Sequence, residues 1–330
     1  MLPLEDFEFV GSMLSRPECV LATSDGVLHI ADWRGGVSII APDGSQKLIR
    51  ADGDYPPKPN GIAIWPDGGW LLAHLGDNEG GVYHLSPAGK LTPFLLEVEG
   101  VPLPPTNYVH IDDLNRIWIT ISTRRSPRSL GYRPDCSDGF IVLVDRAGAR
   151  IVADGLGYTN ECQIHPVDRH LYVNETFSRK LSRFNVNDDG TLGPKIVVSE
   201  FGHGVYPDGL TFDANGGIWI TSIISNRVIR VNQSGEQNIL AEDFDTARLN
   251  ALEEKYLDGK LITEDLGNPL GAKLRNISSA AFGGTDMKTV FFGCLLGTSI
   301  AKVHSPWPGL KPFYWHWSPI KTSNKIKQFL

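Results

Sequence analysis

Five short segments of the chain begin with a carboxylate or amide residue and continue as an alternating apolar run. The five polar residues are Glu18, Asn60, Asn107, Asn160 and Asp208. Each has apolar residues two and four positions after it. Because side chains alternate between the two faces of a strand, this pattern predicts that each polar residue opens a strand. Their oxygen atoms are ligands that hard cations prefer, so together they could bind a divalent metal.

The elements that must position these residues form a repeat. The five polar residues are separated by 42, 47, 53 and 48 residues, close to the roughly 40 to 50 residues of a four-stranded propeller blade. A sixth copy covers residues 277–284, 289–294 and 299–303. We therefore predict an all-β fold in which residues 1–330 form a single domain, a six-bladed β-propeller of four-stranded antiparallel sheets.

The propeller arrangement predicts where the polar residues meet. The first strand of every blade lines the central channel, so the heads of these strands converge at one mouth. Glu18, Asn160 and Asp208 are the predicted metal ligands, with Asn107 and Asn60 beside them. An all-oxygen set without Cys or His favours calcium, with magnesium, manganese or zinc as alternatives. Asp and Asn are also common before strands, so any one of them could serve only the turn.

Several motifs carry a resemblance to a known family. The chain resembles the senescence marker protein, gluconolactonase and luciferin-regenerating enzyme (SGL) family over about residues 7 to 305, in Pro17-Glu18, Asn107, Asn160, Pro207-Asp208-Gly209 and Phe282-Gly283-Gly284-Thr285-Asp286. The resemblance implies a six-bladed propeller with one divalent metal at Glu18, Asn160 and Asp208. It also implies that Asn107 reaches the metal or the substrate, and that the reaction is metal-assisted hydrolysis, most often of a lactone.

Three positions depart from the pattern that the resemblance implies. Tyr108 stands where the family usually has Asp, Thr106 where sugar-lactone hydrolases have Arg, and Glu161 where the family usually has Gly. A pocket that binds a polyol needs charged and amide groups to pair with its hydroxyls. We therefore expect a lactone that is not necessarily a sugar lactone, with Asn107 orienting it and Tyr108 forming an aromatic wall.

Three functions are compatible with these residues. The first is a metal-dependent hydrolase of ester bonds, a lactonase, in which Asp208 is the catalytic residue. Asp208 would act as general base on the attacking water or remain a pure ligand, because a bound cation makes a carboxylate a weak base. The second is phosphotriester or aryl ester hydrolysis at the same metal, and the third is a non-catalytic propeller binding module. No HExxH or GxSxG motif occurs in the sequence.

Composition limits the partners and the location. The chain has 330 residues, 41% of them hydrophobic, and a net charge of -7. This negative charge argues against nucleic acid or an acidic membrane surface, and we expect a small-molecule substrate. No signal peptide or apolar run of about 20 residues is apparent, so we expect a cytoplasmic protein. The sequence does not determine the oligomeric state, and it is compatible with a homo-oligomer. The four cysteines lack metal-type spacing and are expected to be buried free thiols.

Two insertions and a tail interrupt the repeat. Residues 122–140 carry four arginines, Arg124, Arg125, Arg128 and Arg133, which either clamp an anionic group of a substrate or form local ion pairs. Residues 240–275 contain Leu249, Leu252, Tyr256 and Leu257 at helical spacing. We expect them to form a lid, an oligomer contact or the cover of a blade edge.

The two ends of the chain lie outside the repeat. In the tail, about residues 305–330, we expect residues 313–317 to form a final strand on the outer ring or a dimer surface, and residues 321–330 to be loose. Residues 7–10 are expected to be an edge strand that closes the ring.

Overall fold

The computed structural model describes residues 1–66 and 68–317. Within these residues, six four-stranded antiparallel sheets follow one another along the chain, and the predicted six-bladed propeller is confirmed. The expectation for residues 321–330 lies outside the described residues. The four cysteines are buried and free, as expected.

Each blade contains four strands in chain order from the channel outwards, except that the outermost strand of blade 6 is β1 (Glu8–Val10). Blade 1 contains β2 (Val20–Ala22), β3 (Leu28–Asp32), β4 (Gly36–Ile40) and β5 (Gln46–Arg50). Blade 2 contains β6 (Pro59–Ile64), β7 (Trp70–His74), β8 (Val82–Leu85) and β9 (Leu91–Leu95). A separate hairpin follows, of β10 (Glu97–Val98) and β11 (Val101–Pro102). Blade 3 contains β12 (Thr106–Ile111), β13 (Ile117–Ile121), β14 (Gly139–Asp145) and β15 (Gly148–Leu156).

The second half of the ring repeats this arrangement. Blade 4 contains β16 (Thr159–Ile164), β17 (Leu171–Glu175), β18 (Lys180–Phe184) and β19 (Ile196–Glu200). Blade 5 contains β20 (Val205–Phe212), β21 (Ile218–Ile224), β22 (Arg227–Val231) and β23 (Gln237–Ala241). Blade 6 contains β24 (Ile277–Gly283), β25 (Thr289–Cys294) and β26 (Ile300–His304), with β1 at its edge.

The first strand of the chain closes the ring. β1 pairs antiparallel with β26, so that Glu8 lies opposite Lys302 and Val10 lies opposite Ile300. The predicted edge strand is therefore confirmed. Closure removes two strand edges that would otherwise be free to pair with other chains.

Blades 3 and 5 share a contact that links their first two strands, at the end of the first strand that lies away from the polar residue. Asp112 follows β12 and accepts a hydrogen bond from the indole nitrogen of Trp118 at 3.0 Å. In blade 5, Asp213 accepts the corresponding bond from Trp219 at 2.9 Å. Both indole rings are fully buried. These bonds hold the first and second strands of each of these two blades together.

In the part of the chain that the structure describes, helices occur in the insertions and at the N-terminus. They are the α-helices α1 (Thr246–Leu257) and α2 (Thr263–Leu266) and two 3-10 helices, Leu4–Asp6 and Arg128–Gly131. Of the four residues with helical spacing, three are buried in α1, but Leu257 is 63% exposed. Leu257 follows the buried Tyr256 directly and therefore lies about 100° further round the helix. No helix of the described residues has both the length and the apolar character needed to span a membrane.

The tail crosses the lower mouth of the channel. The backbone nitrogen of Leu310 donates to the carbonyl of Phe212 at 2.9 Å, and the nitrogen of Ser24 donates to the carbonyl of Trp315 at 2.8 Å. Trp315 is buried against the cluster that joins blades 1, 5 and 6. The prediction of a final strand at residues 313–317 on the outer ring is wrong, because these aromatic side chains fill the end of the channel.

Candidate active site

A cavity of about 290 Å³ lies at the heads of the innermost strands. Its wall contains all five polar residues of the sequence repeat, Glu18, Asn60, Asn107, Asn160 and Asp208. Each of the five is at most 5% exposed. The ring closure thus brings together residues from five different blades, as the register of the repeat predicts.

The amide groups of two of these residues are oriented by hydrogen bonds. The side-chain nitrogen of Asn60 donates to the backbone carbonyl of Asn107 at 3.1 Å. That of Asn160 donates to the hydroxyl of Thr176 at 3.0 Å. Four buried oxygens of the set have no hydrogen-bond donor among the described residues, namely Oε2 of Glu18 and Oδ1 of Asn60, Asn107 and Asn160. Since a buried acceptor without a partner costs about 1–3 kcal/mol, this cluster fits a bound cation.

The two carboxylates of the cavity influence each other. Burial raises the pKa of Asp208 well above its ordinary value, and the nearby Glu18 carboxylate raises it further. Arg16 and the Asn160 side chain oppose this increase. One guanidinium nitrogen of Arg16 lies 2.8 Å from Oε2 of Glu18 and forms an ion pair with it. The angles of this contact are too far from linear for a hydrogen bond. A cation between the carboxylates would remove their repulsion.

The types of ligand atom in the cavity indicate which metal ions fit it. The described residues contain no group of three or more His, Cys, Asp or Glu side chains that could hold a metal ion. The cavity instead offers two carboxylates and three amide carbonyls, all of them oxygen ligands. Hard cations that accept neutral carbonyl oxygens, calcium above all, fit such a set better than zinc, for which nitrogen and sulfur are the usual ligands.

Aromatic residues from the loops form one wall of the cavity. Tyr132, in the insertion 122–140, stacks on Phe177 with ring centroids 4.7 Å apart, and Tyr158 meets Phe177 edge-on at 4.8 Å. All three line the cavity. The sequence repeat gives no signal for Tyr132 or Phe177, because both lie outside the first strands. For Tyr158 the sequence does give a signal of a place at the cavity mouth, because this aromatic residue stands two positions before the predicted ligand Asn160.

Tyr108 lies on the other side of the ligand ring. Its side chain is buried between blades beside Tyr314 and Gln163, and its ring packs against Gly61, where a Cβ atom would approach within 2.5 Å. Successive residues of a strand point in opposite directions, so Tyr108 faces away from the cavity that Asn107 faces. The structure therefore does not place Tyr108 in the expected aromatic wall.

The insertion 240–275 covers the cavity. Thr263, Leu266 and Gly267 in and after α2 belong to its lining. Beside them, α1 is fixed to the ring by Glu253, whose carboxylate pairs with both terminal nitrogens of Arg179 at 2.7 and 2.6 Å. The hydroxyl of Tyr206 also donates to Glu253 at 3.0 Å. The insertion thus forms a roof over the site.

Comparisons with known proteins show similarity in sequence and in fold. The model of the SMP-30/gluconolactonase/LRE-like region matches residues 17–241. A 6-deoxy-6-sulfogluconolactonase from Pseudomonas putida is 25% identical over 298 residues, which cover 88% of this chain and 87% of the relative. The fold is similar to that of a gluconolactonase from Xanthomonas campestris, with a TM-score of 0.66, 16% identity and coverage of 91% and 89%. It is also similar to the calcium-binding protein regucalcin from Agrobacterium tumefaciens, with a TM-score of 0.62, 17% identity and coverage of 92% and 96%.

Proposed function

The chain belongs to the SMP-30/gluconolactonase/LRE-like family, and we propose that it is a metal-dependent lactonase that hydrolyses the ring ester of a small-molecule lactone. The relative named 6-deoxy-6-sulfogluconolactonase supports a lactone as the substrate class. The similarity to a calcium-binding protein supports calcium as the cation.

The observation that carries this proposal is the set of unpaired oxygens in the cavity wall. Three buried amide oxygens from blades 2 to 4 lack a partner among the described residues, and the Glu18 oxygen from blade 1 has only its ion pair with Arg16. All four line one cavity, and the three unpaired amide oxygens alone would cost several kcal/mol. Glu18, Asn160 and Asp208 are the proposed ligands, with Asn107 and Asn60 completing the donor set. The charge and number of these oxygens suit one calcium ion.

A divalent cation at this position supplies a Lewis acid that polarises the substrate carbonyl and offsets negative charge in the transition state. The protein residues provide the rest of the site. Arg16 fixes the carboxylate of Glu18 through their ion pair. Asn107 presents its unpaired oxygen to the cavity and can orient a water or a substrate hydroxyl. Tyr132, Tyr158 and the roof residue Leu266 reduce the access of bulk water.

Asp208 is proposed as the catalytic residue. Its carboxylate lines the cavity and is 3% exposed. In the proposed reaction it accepts a proton from the attacking water, whose oxygen forms the bond to the lactone carbonyl carbon. The bond between the carbonyl carbon and the ring oxygen then breaks, and the ring oxygen takes up the proton that Asp208 received, so the product is a hydroxy acid. In the alternative, Asp208 is a ligand only and the proton passes to solvent.

The aromatic wall favours a second candidate, hydrolysis of aryl esters or phosphotriesters at the same metal. Tyr132, Tyr158, Phe177 and Trp33 all line the cavity, and aromatic faces of this kind stack on flat apolar rings. An aromatic substrate would use the same cation and the same Asp208.

The proposal is tested by assaying purified protein, with saturating Ca²⁺ and after chelation, on a panel of lactones, aryl esters and phosphotriesters. We expect lactone hydrolysis that is lost on chelation, restored by Ca²⁺ and abolished in Asp208→Ala. Faster turnover of aryl esters or phosphotriesters than of any lactone would favour the second candidate. Lactone turnover that survives both chelation and Asp208→Ala would contradict the proposal.

A further inference from the structure

The four arginines of the insertion 122–140 have different environments. Arg124 lies 2.8 Å from the carboxylate of Asp154, and Arg125 lies 3.4 Å from that of Asp138. Arg133 forms an ion pair with Asp135. Arg128 alone among the four has no carboxylate within ion-pair distance and no side-chain hydrogen bond to a described residue. Three of the four arginines therefore form local ion pairs, which was one of the two alternatives expected from the sequence. Arg128 forms none.

Arg128 lies in the wall of the cavity. It begins the 3-10 helix Arg128–Gly131, and its side chain lines the cavity together with Tyr132 and Tyr158. The residue is only partly exposed, whereas the paired Arg124 and Arg125 are exposed. A guanidinium is always charged in proteins and has five donors. Tyr132, Tyr158 and the carboxylates of Glu18 and Asp77 act on this charge electrostatically, but none of them forms an ion pair with it, so its donors are free to bind an anionic ligand in the cavity.

Two further donors of the same cavity are unpaired. The indole nitrogen of Trp33 is buried without an acceptor among the described residues. The Nε atom of Arg16 is in the same condition, although the guanidinium of Arg16 also lies over the Trp33 ring at 4.3 Å. Besides its unpaired acceptors, the cavity thus contains unpaired N–H donors. Such donors bind oxyanions, not cations.

The charges of the cavity lead to the same conclusion. The charged side chains in its described lining are Arg16, Glu18, Arg128 and Asp208. The two carboxylates match the charge of one divalent cation. With that cation bound, the two guanidinium groups remain as an excess of positive charge, so the loaded cavity attracts an anionic ligand.

We propose that Arg128, assisted by the indole N–H of Trp33, binds an oxyanion substituent of the substrate, so that the lactone carries a sulfonate, phosphate or carboxylate apart from its ring ester. This inference rests on the proposed lactonase function. It assigns substrate specificity to a residue of the insertion 122–140, while the reaction itself remains with the residues at the strand heads. The planar guanidinium can donate two parallel hydrogen bonds to such a group.

The kinetic test compares gluconolactone with its derivatives that carry a sulfonate, a phosphate or a carboxylate on the terminal carbon. We expect the wild type to prefer a charged derivative, and the best of the three identifies the anion. In Arg128→Gln, kcat/KM for that derivative should fall about 30-fold, mainly through KM, while kcat/KM for gluconolactone changes less than about threefold. Arg128→Lys should recover part of the loss, because it keeps the charge but not the two-pronged geometry.

Arg124→Gln is the matched control, since Arg124 belongs to the same insertion but pairs with Asp154 and does not line the cavity. It should leave the kinetics of both lactones unchanged. Trp33→Phe keeps the aromatic ring and removes only the indole N–H, so it should weaken the charged derivative by a smaller factor. Equal losses on charged and neutral lactones in Arg128→Gln would overturn the proposal, as would no loss on either.

A binding measurement separates this inference from the lactonase function. Glucose and its sulfonate derivative at the terminal carbon have no ester, and their affinities can be measured by calorimetry with saturating Ca²⁺. We expect the wild type to bind the sulfonate at least tenfold more tightly than glucose, and Arg128→Gln to lose this preference. If no lactone is hydrolysed but this preference is found, the lactonase function fails and the anion site stands. If lactones are hydrolysed but wild type and Arg128→Gln bind both sugars alike, the anion site fails.

Discussion

The side-chain nitrogen of Asn160 donates to the hydroxyl of Thr176 at 3.0 Å, and that hydroxyl donates in turn to the backbone carbonyl of Pro207 at 2.8 Å. Thr176 therefore connects a proposed ligand in blade 4 with the residue that precedes Asp208 in blade 5. The first bond leaves Oδ1 of Asn160 directed to the cavity without a donor. Thr176 is a positioning residue for two of the three proposed ligands.

We expect Thr176→Val to lower the affinity for Ca²⁺ about tenfold, because residues that orient metal ligands contribute 10- to 100-fold to affinity. Calorimetric titration of the metal-free protein measures this. Thr120→Val is the matched control, since the hydroxyl of Thr120 is buried without a partner and its loss should leave the affinity unchanged. Equal affinities in wild type and Thr176→Val would contradict the positioning role.

Replacement of Asp208 by Asn distinguishes its two proposed roles. Asn keeps an oxygen that can bind the cation but cannot accept a proton from water. If Asp208 is the general base, kcat for the best lactone falls about 10²- to 10⁴-fold at saturating Ca²⁺. Full recovery of kcat with excess Ca²⁺ would instead make Asp208 a ligand only. Asp43→Asn, in an exposed turn, should leave kcat unchanged.

The ion pair between Glu253 and Arg179 should contribute to the stability of the roof. Burial alone would raise the pKa of Glu253, but the Arg179 guanidinium, together with the hydrogen bonds from the Gly204 backbone and the Tyr206 hydroxyl, lowers the pKa below its ordinary value. Glu253→Gln leaves a buried guanidinium without its counter-charge, so we expect the free energy of unfolding to fall by about 2–4 kcal/mol. Urea denaturation measures this change. Glu254→Gln, one residue on and exposed, is the control, and an equal loss in both variants would contradict the assignment.

Two buried histidines should make stability depend on pH. Burial lowers the pKa of His29 and of His110 from 6.5 to about 4. Below pH 6.5 the unfolded chain therefore binds protons that the folded protein does not, and stability falls as the pH decreases from 6.5 to 4. A shift of this size corresponds to about 3 kcal/mol for each histidine.

Denaturation at pH 7 and pH 4.5 tests this dependence. The difference in unfolding free energy between these conditions should be smaller in His29→Gln than in the wild type. In His316→Gln, at an exposed position of the tail, it should be unchanged. An identical pH dependence in wild type and His29→Gln would show that His29 does not contribute.

The parts of the site that the sequence predicts are those that depend on local register. Asn107 lies at the start of β12, as predicted, whereas Asp208 is the fourth residue of β20 and lies inside its strand. Both still reach the same mouth of the channel, because a propeller brings the first strands of all blades together there. The same alternation places the next residue, Tyr108, on the opposite side of the strand, so the expectation that it forms the cavity wall was wrong. Tyr132 and Arg128 reach the cavity only because the insertion 122–140 folds back over the ring, and no period in the sequence encodes that path.

The tail is a second region whose position could not be predicted from its own sequence. Its aromatic residues suggested a strand, because aromatic side chains are frequent in strands. In the structure Trp315 is buried at the lower mouth of the channel, a position that exists only once six blades have closed. Residues that fill a space created by the whole ring cannot be assigned from their own segment.

The central claim is that the oxygens at the strand heads bind one divalent cation. Elemental analysis of the purified protein, followed by calorimetric titration of the chelated protein with Ca²⁺, tests it most directly. The account predicts one cation per chain in the wild type, and a large loss of affinity in Asn160→Ala with the fold retained. A wild-type protein that contains no metal and binds none on titration would contradict it.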